Sequence, residues 1–129
     1  MSDCIFCRIV AGDAPAESVF EDGLTLAFMD IFPATDGHVL VIPKAHAEDV
    51  YALEQPHADA VWHATLRVAH AVRAALAPEG LTIRQANGRV ANQHVLHFHM
   101  HVIPRNEGEL RGDASRVAEM AGRLRPHLV

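Results

Sequence analysis

The sequence predicts an α+β fold in which a mainly antiparallel sheet carries one long helix on one of its faces. β-compatible runs follow one another along the chain, and the pair Asp22-Gly23 between the first two is typical of a tight hairpin turn. A long stretch from about Pro56 to Leu76 instead spaces its apolar residues as a helix does. The chain has 129 residues, of which 50% are hydrophobic, and this is enough for one domain around a single core.

The N-terminal half is predicted to form a short apolar turn or helix and then three strands, at residues 5–10, 17–21, 24–30 and 38–43. Gly12 and Pro15 close the first segment. The third strand follows the turn pair Asp36-Gly37 and ends at Pro43, because proline has no amide hydrogen to donate to a neighbouring strand. Its unbroken apolar run predicts that this strand is buried.

The C-terminal half is predicted to form a short turn, a long helix, two strands and a last helix, at residues 47–53, 56–76, 81–87, 97–103 and 114–124. Pro56 suits the first turn of the long helix, and Pro78-Glu79-Gly80 ends that helix. The inner apolar stripe of the long helix consists of Val61, Thr65, Val68, Val72 and Leu76.

Charge and composition exclude several classes of protein. The formal net charge is −5 and no two Lys or Arg residues are adjacent, which argues against a surface for nucleic acid or for a membrane. No run of about 18 apolar residues is present, and Met1-Ser2-Asp3-Cys4 lacks the features of a secretory signal, so we expect a cytoplasmic protein. In that compartment the spacing Cys4-x-x-Cys7 favours thiols or a metal site over a disulfide.

Three histidines alternate with apolar residues in the segment His97-Phe98-His99-Met100-His101-Val102-Ile103-Pro104. On a strand, alternate side chains share one face, so this pattern predicts three imidazoles about 7 Å apart on the same face. The chain has ten histidines and some adjacency is expected by chance, but strict alternation with apolar neighbours points to function. Such a row of titratable nitrogens predicts either a metal site or a site for phosphate chemistry.

The pattern His97-x-His99-x-His101-Val102-Ile103 resembles the signature of the histidine triad (HIT) superfamily of nucleotide hydrolases and transferases. Other blocks, within roughly residues 4 to 105, resemble that family in the same order: Cys4-Ile5-Phe6-Cys7-Arg8-Ile9, Ala27-Phe28-Met29-Asp30-Ile31, Gly37-His38-Val39-Leu40-Val41-Ile42-Pro43-Lys44-x-His46 and Asn92-Gln93. The match is to the short bacterial Hint-like branch. The resemblance implies a single HIT domain over residues 1–129, with a tail at 106–129. It also implies a five-stranded sheet that joins a second copy as a ten-stranded sheet in a homodimer.

The resemblance assigns catalytic roles to four residues. His99 is expected to be the nucleophile, with one ring nitrogen attacking the α-phosphorus while the other donates to a backbone carbonyl. His101 is expected to hold phosphate oxygens, and His38 to orient the site from the neighbouring strand. Gln93 is expected to contact the phosphate or the leaving group.

The same resemblance predicts a nucleotide pocket. Asp30 corresponds to the acidic residue that accepts hydrogen bonds from the ribose hydroxyls, and Asn87 to a polar loop position beside the site. Gln93, His99 and His101 complete the polar contacts. The wall around the base is predicted to consist of Ile5, Phe6, Ile9, Phe28 and Ile31, residue types that core packing alone also favours.

Cys4, Cys7, His46 and His97 form a second constellation, because two thiolates and two imidazoles are a suitable ligand set for tetrahedral zinc. Relatives in the bacterial branch carry zinc with this pattern. We therefore expect one structural zinc per subunit, with His97 committed to the metal; the alternative is two thiols in an N-terminal segment that holds no metal. The remaining histidines are expected on the surface, except His94, which stands where relatives usually carry a hydroxyl residue.

The resemblance implies a homodimeric hydrolase that cleaves purine nucleoside phosphoramidates or related nucleotides at the α-phosphorus. The reaction is expected to pass through a nucleotidyl-histidine intermediate and to release a nucleoside monophosphate. A dinucleoside polyphosphate hydrolase is the alternative within enzymes. A nucleotide-binding regulatory module with little turnover is an alternative from another class. A weaker alternative makes the triad itself a catalytic metal site.

Overall fold

The computed structural model describes residues 3–129 and confirms the predicted α+β fold. Five strands form one antiparallel sheet in the order β1-β2-β3-β5-β4. The helices and strands are α1 (Ile5–Ala11), β1 (Ser18–Glu21), β2 (Thr25–Met29), β3 (Val39–Pro43), α2 (Gln55–Leu76), β4 (Gly80–Arg84), β5 (Met100–Arg105) and α3 (Val117–Leu124). Short 3-10 turns lie at Arg89–Ala91, Ala114–Arg116 and Arg125–His127.

Local sequence explains the turns that were predicted. The carboxylate of Asp22 accepts hydrogen bonds from the backbone amides of Leu24 and Thr25 at 2.9 and 2.8 Å, which fixes the β1–β2 hairpin. Helix α1 ends at Gly12, whose φ of 82° lies in the left-handed region that favours glycine. The 22-residue helix α2 has Pro56 in its first turn, where the missing amide hydrogen costs nothing.

The sheet separates two apolar layers. On one face α2 and α3 cover the main core, and the predicted stripe residues Val61, Thr65, Val68 and Val72 are all buried there, while Leu76 is half-buried. On the other face α1 packs over a smaller cluster of Phe6, Leu26, Phe28, Leu40 and Ile42. All five residues of β3 are buried because this strand lies between these two layers, as its apolar run predicts.

Two strand boundaries differ from the prediction by three residues, and the others by two at most. Strand β4 ends at Arg84 rather than at residue 87, because the side chain of Asn87 accepts a hydrogen bond from the amide of Val50 and fixes a loop there. Strand β5 begins at Met100 rather than at residue 97, because the amide of Phe98 donates to the carbonyl of Ala47 at 2.7 Å instead of to a strand. The prediction that all three histidines of the triad lie on one strand is therefore wrong.

Among residues 3–129, no helix has the length and apolar character that a membrane crossing requires.

Candidate active site and candidate metal centre

The face of the sheet that α1 covers carries a row of four cross-strand neighbours. Phe28 pairs with Leu40, Leu40 with His101, and His101 with Arg84, from β2 through β3 and β5 to β4. Side chains of directly paired residues point to the same face, so the row changes from apolar to imidazole to guanidinium across the sheet. Phe6 of α1 stands over the apolar end, with its ring centroid 5.3 Å from that of Phe28.

A cavity of about 1080 Å³ lies over this row, a volume suited to a small organic ligand. All five residues predicted as the wall of the base pocket line it, namely Ile5, Phe6, Ile9, Phe28 and Ile31. Asp30, His38, His99 and His101 line it as well. The structure thus brings most of the predicted nucleotide-binding residues to one cavity.

His99 presents a defined ring nitrogen to this cavity. Its Nδ1 lies 2.7 Å from the carbonyl oxygen of His97, so Nδ1 carries the hydrogen and donates it. The lone pair is then on Nε2. Burial lowers the pKa of His99 below its ordinary value, and this keeps the ring neutral and nucleophilic at pH 7.

His38 and His101 form a chain of oriented hydrogen bonds. His38 Nδ1 accepts from the backbone amide of Ala34 at 3.0 Å, so the hydrogen of the neutral ring is on Nε2. That Nε2 lies 2.9 Å from His101 Nδ1, which must accept, and the hydrogen of His101 is therefore on its Nε2. Burial is the main cause that lowers the pKa of His38 to about 3 and that of His101 to about 4, so both rings are neutral at pH 7.

His99 and His101 consequently offer opposite functions side by side. Their ring centroids are 4.9 Å apart. His99 has an acceptor nitrogen and His101 has an N–H donor, which together suit attack on a phosphorus and stabilisation of its oxygens.

Asp30 lies at the end of β2, beside the imidazole pair. One carboxylate oxygen accepts the amide of Phe32 at 2.8 Å, and the other lies 3.5 Å from His38 Nε2. Burial raises the pKa of Asp30, although the hydrogen bond from Phe32 opposes that shift. The carboxyl group can accept hydrogen bonds from a ligand in the cavity.

The structure does not bring Gln93 and Asn87 to the cavity lining. Gln93 is buried, and its amide donates to the carbonyls of Glu48 and Val95 and accepts from the amide of Gly88. Asn87 is bonded to Val50 and to a neighbouring side chain. In this structure both residues hold the loop before the triad.

Other lining residues were not predicted. The polar ones are Arg84 at the end of β4, Gln85 directly after it, and Asn92 and His94 in the loop before the triad. Asn92 has a positive φ of 76°, a conformation that asparagine tolerates better than most residues. The pairing of Arg84 with His101 depends on the register of β4 against β5, which no local pattern encodes.

The Cys/His cluster consists of Cys4, Cys7, His46 and His97, whose donor atoms all lie within 4.8 Å of one another. His97 Nδ1 is 3.4 Å from Cys4 Sγ, 3.5 Å from Cys7 Sγ and 3.2 Å from His46 Nδ1. Bond lengths of about 2.3 Å to sulfur and about 2.0 Å to nitrogen put the corners of a tetrahedral zinc site about 3.3 to 3.8 Å apart. The spacing of the cluster therefore fits a metal ion.

The surroundings of His97 add to that fit. Its Nε2 lies 2.8 Å from the carbonyl oxygen of Pro43, so Nε2 carries the hydrogen and the lone pair of Nδ1 faces the cluster. A backbone acceptor on the far nitrogen is the usual partner of a metal-bound histidine. Within residues 3–129, no group of three close metal-binding atoms contains all three triad histidines.

Comparison with known proteins places these features in a family. The sequence model of the HIT domain matches residues 11–108. The chain is 48% identical over 103 residues to a Bacillus subtilis protein called hit, covering 80% of this chain and 71% of that protein. It is 42% identical over 106 residues to an adenosine 5'-monophosphoramidase of Schizosaccharomyces pombe, covering 82% of this chain and 77% of that protein.

A solved structure has the same fold. The zinc-bound histidine triad family protein of Mycobacterium smegmatis superimposes with a TM-score of 0.88 at 39% identity, covering 97% of this chain and 92% of that one.

Proposed function

This chain belongs to the HIT domain family, and from that premise we propose that it hydrolyses purine nucleoside phosphoramidates at the α-phosphorus. The observation that carries the proposal is the pairing of a bare Nε2 on His99 with an N–H donor on His101 in one cavity. The monophosphoramidase among the relatives supports the class of substrate.

We propose a position for the nucleotide from the chemistry of the cavity. The purine base lies among Ile5, Phe6, Ile9, Phe28 and Ile31, which bury its flat apolar surface. The ribose hydroxyls donate to Asp30. The α-phosphate then lies over His99 and His101, and Gln93 and Asn87 act by holding the adjacent loop rather than by touching substrate.

The reaction proceeds in two steps. Nε2 of His99 attacks the phosphorus, and the bond from phosphorus to the leaving nitrogen breaks as that nitrogen takes up a proton from solvent. Water then attacks the nucleotidyl-histidine, the bond from phosphorus to His99 breaks, and the nucleoside monophosphate leaves. His101 Nε2–H donates to a phosphate oxygen throughout, and His38 keeps that hydrogen correctly placed.

We propose that the Cys/His cluster binds one zinc per subunit. With two cysteines and two histidines the metal would have four protein ligands, which is typical of a structural site. It would anchor α1 to the rest of the domain, and catalysis would depend on the cavity residues. Elemental analysis should find about one zinc per chain, and chelation should lower the melting temperature. A zinc-free preparation whose stability a chelator does not change would refute the metal site.

We also propose that the protein is a homodimer and that it is cytoplasmic. Strand β4 is an edge of the sheet and exposes Leu81 and Ile83, so a second copy pairing there would extend the sheet to ten strands. Sedimentation of the wild-type protein and of Ile83→Lys tests this. The wild type should be dimeric and the variant monomeric.

Steady-state kinetics tests the proposed activity. Wild type, His99→Ala and the surface control His70→Ala are compared on an adenosine phosphoramidate and on diadenosine triphosphate. We expect AMP release, a higher kcat/KM on the phosphoramidate, and loss of turnover in His99→Ala alone. Preference for the dinucleotide would establish the polyphosphate hydrolase instead. AMP binding without any turnover would establish a regulatory module.

A further inference from the structure

Arg84 is a cation in the cavity to which the reaction described above gives no role. It ends β4 and pairs directly with His101 of β5, so its side chain lies on the same face of the sheet as that imidazole. It is exposed and lines the cavity. Within residues 3–129 its guanidinium has no hydrogen bond or ion pair to another group.

The position of Arg84 in the cross-strand row shows at which end of the cavity it lies. Phe28 and Leu40, which belong to the apolar end, lie on one side of His101, and Arg84 lies on the other. Neighbouring strands are about 4.8 Å apart, so Arg84 is one strand beyond His101 in the direction away from the base pocket. A substrate whose α-phosphorus lies over His99 and His101 therefore extends its leaving group towards Arg84.

His94 is a second polar residue in the lining of the cavity, from the loop that precedes the triad. The pKa values of His38 and His101 are both lowered in part by the charge of Arg84, so this guanidinium lies within electrostatic range of the imidazole pair. The cavity is thus apolar at the base end and cationic at the opposite end, in a chain whose formal net charge is −5.

We infer that Arg84 forms a subsite for a negatively charged leaving group. The inference rests on the proposed function. Two kinds of leaving group have this chemistry: an amino acid joined to AMP through its amine, which carries a free carboxylate, and the phosphate chain of a nucleoside polyphosphate. A guanidinium matches both because its planar donors bind carboxylate and phosphate oxygens in pairs.

The subsite changes no step of the reaction. Water still supplies the oxygen that ends on phosphorus, and the electron pair of the broken bond leaves with the amine or the phosphate. Arg84 neutralises the charge that the leaving group already carries, and so raises kcat/KM for charged substrates over neutral ones of the same shape.

The test compares AMP joined to glycine with AMP joined to glycinamide, which differ by the carboxylate charge, and adds diadenosine triphosphate. The enzymes are wild type, Arg84→Gln, Arg84→Lys and Arg73→Gln; the last removes a charge from α2 on the opposite face of the sheet. Wild type should prefer the carboxylate over the amide by about tenfold, the size expected of one partly exposed charge-assisted contact. Arg84→Gln should lose that ratio, Arg84→Lys should keep much of it, and Arg73→Gln should keep all of it.

The outcomes separate the two proposals. Equal carboxylate-to-amide ratios in wild type and Arg84→Gln, with no effect on the dinucleotide, would overturn the subsite and leave the hydrolase intact. An effect of Arg84→Gln on the dinucleotide alone would support the subsite and identify phosphate as its ligand. Failure of wild type to turn over either phosphoramidate would instead overturn the proposed function.

Discussion

The Cys/His cluster and the cavity each take a histidine from the same short segment, residues 97–101, yet they use these histidines in opposite ways. His97 gives its Nε2 hydrogen to the carbonyl of Pro43 and turns Nδ1 to the cysteines. His99, two residues later, gives its Nδ1 hydrogen to the carbonyl of His97 and turns Nε2 to the cavity. A single backbone acceptor beside each ring decides which nitrogen is left bare, and the position of that nitrogen decides whether the residue suits a metal or a phosphorus.

The largest effect is expected from removal of His99, the histidine of the cavity. His99→Ala should reduce turnover by a factor on the order of 10³ or more, because no other group can form the covalent intermediate. AMP affinity and zinc content should stay close to wild type. Single-turnover kinetics and calorimetric AMP binding provide the measurements, with His70→Ala on the exposed side of α2 as the matched control. Wild-type turnover in His99→Ala would refute its role.

Removal of the cluster histidine should have the converse effect. His97→Ala deletes one of four ligands and leaves the pair of thiolates without their buried partner, so zinc should be lost and the melting temperature should fall by roughly 10 °C. Elemental analysis and thermal unfolding measure both. A His97→Ala protein that keeps its zinc and its melting temperature would show that His97 is not the metal-binding histidine.

A substitution of Gln93 tests whether this residue stabilises the loop beside the cavity or contacts the substrate. Gln93→Ala leaves the amide of Gly88 and the carbonyl of Glu48 without their partner, which should cost about 1–3 kcal/mol of unfolding free energy. Urea denaturation measures the loss, and Gln55→Ala at the exposed start of α2 is the control. If stability is unchanged while KM rises, Gln93 contacts substrate instead, as the sequence resemblance implies.

The smallest expected effect is a dependence of stability on pH. Unfolded histidine has a pKa of about 6.5, whereas burial lowers that of His38 to about 3. Between these values the unfolded chain binds a proton that the folded chain does not, so stability falls as pH falls, by at most about 1.4 kcal/mol per pH unit for this residue. Denaturation from pH 7 to pH 5 should show a shallower slope for His38→Asn than for wild type or His70→Ala. Identical slopes would contradict a neutral buried His38.

Much of the fold could be predicted because its determinants are local. The Asp22 turn, the apolar run of β3 and the helical stripe of α2 each depend on neighbours in sequence, and each was confirmed. The end of β4 and the start of β5 could not be predicted. The amide of Phe98 bonds to Ala47, a partner about 50 residues away that no local pattern reveals.

The candidate site also combines features that the sequence predicts with features that depend on contacts between distant residues. Residue types and the family resemblance were enough to name the histidines, the cysteines and Asp30, because their chemistry is specific. Arg84 was missed since an arginine in an exposed strand looks like ordinary surface, and only the register of β4 against β5 brings it beside His101. The direction of each imidazole also needed the structure, because it depends on carbonyls such as that of Pro43.

The most direct test of the separate roles of His97 and His99 is the mass of the protein during turnover. Samples quenched in alkali, where a phosphorus–imidazole bond survives, are analysed as intact protein and then as peptides. We predict that wild type gains the mass of one AMP moiety, that the peptide carrying it is modified at His99, and that His99→Ala gains none. An adduct on His97 or His101, or an equal adduct in His99→Ala, would contradict this account.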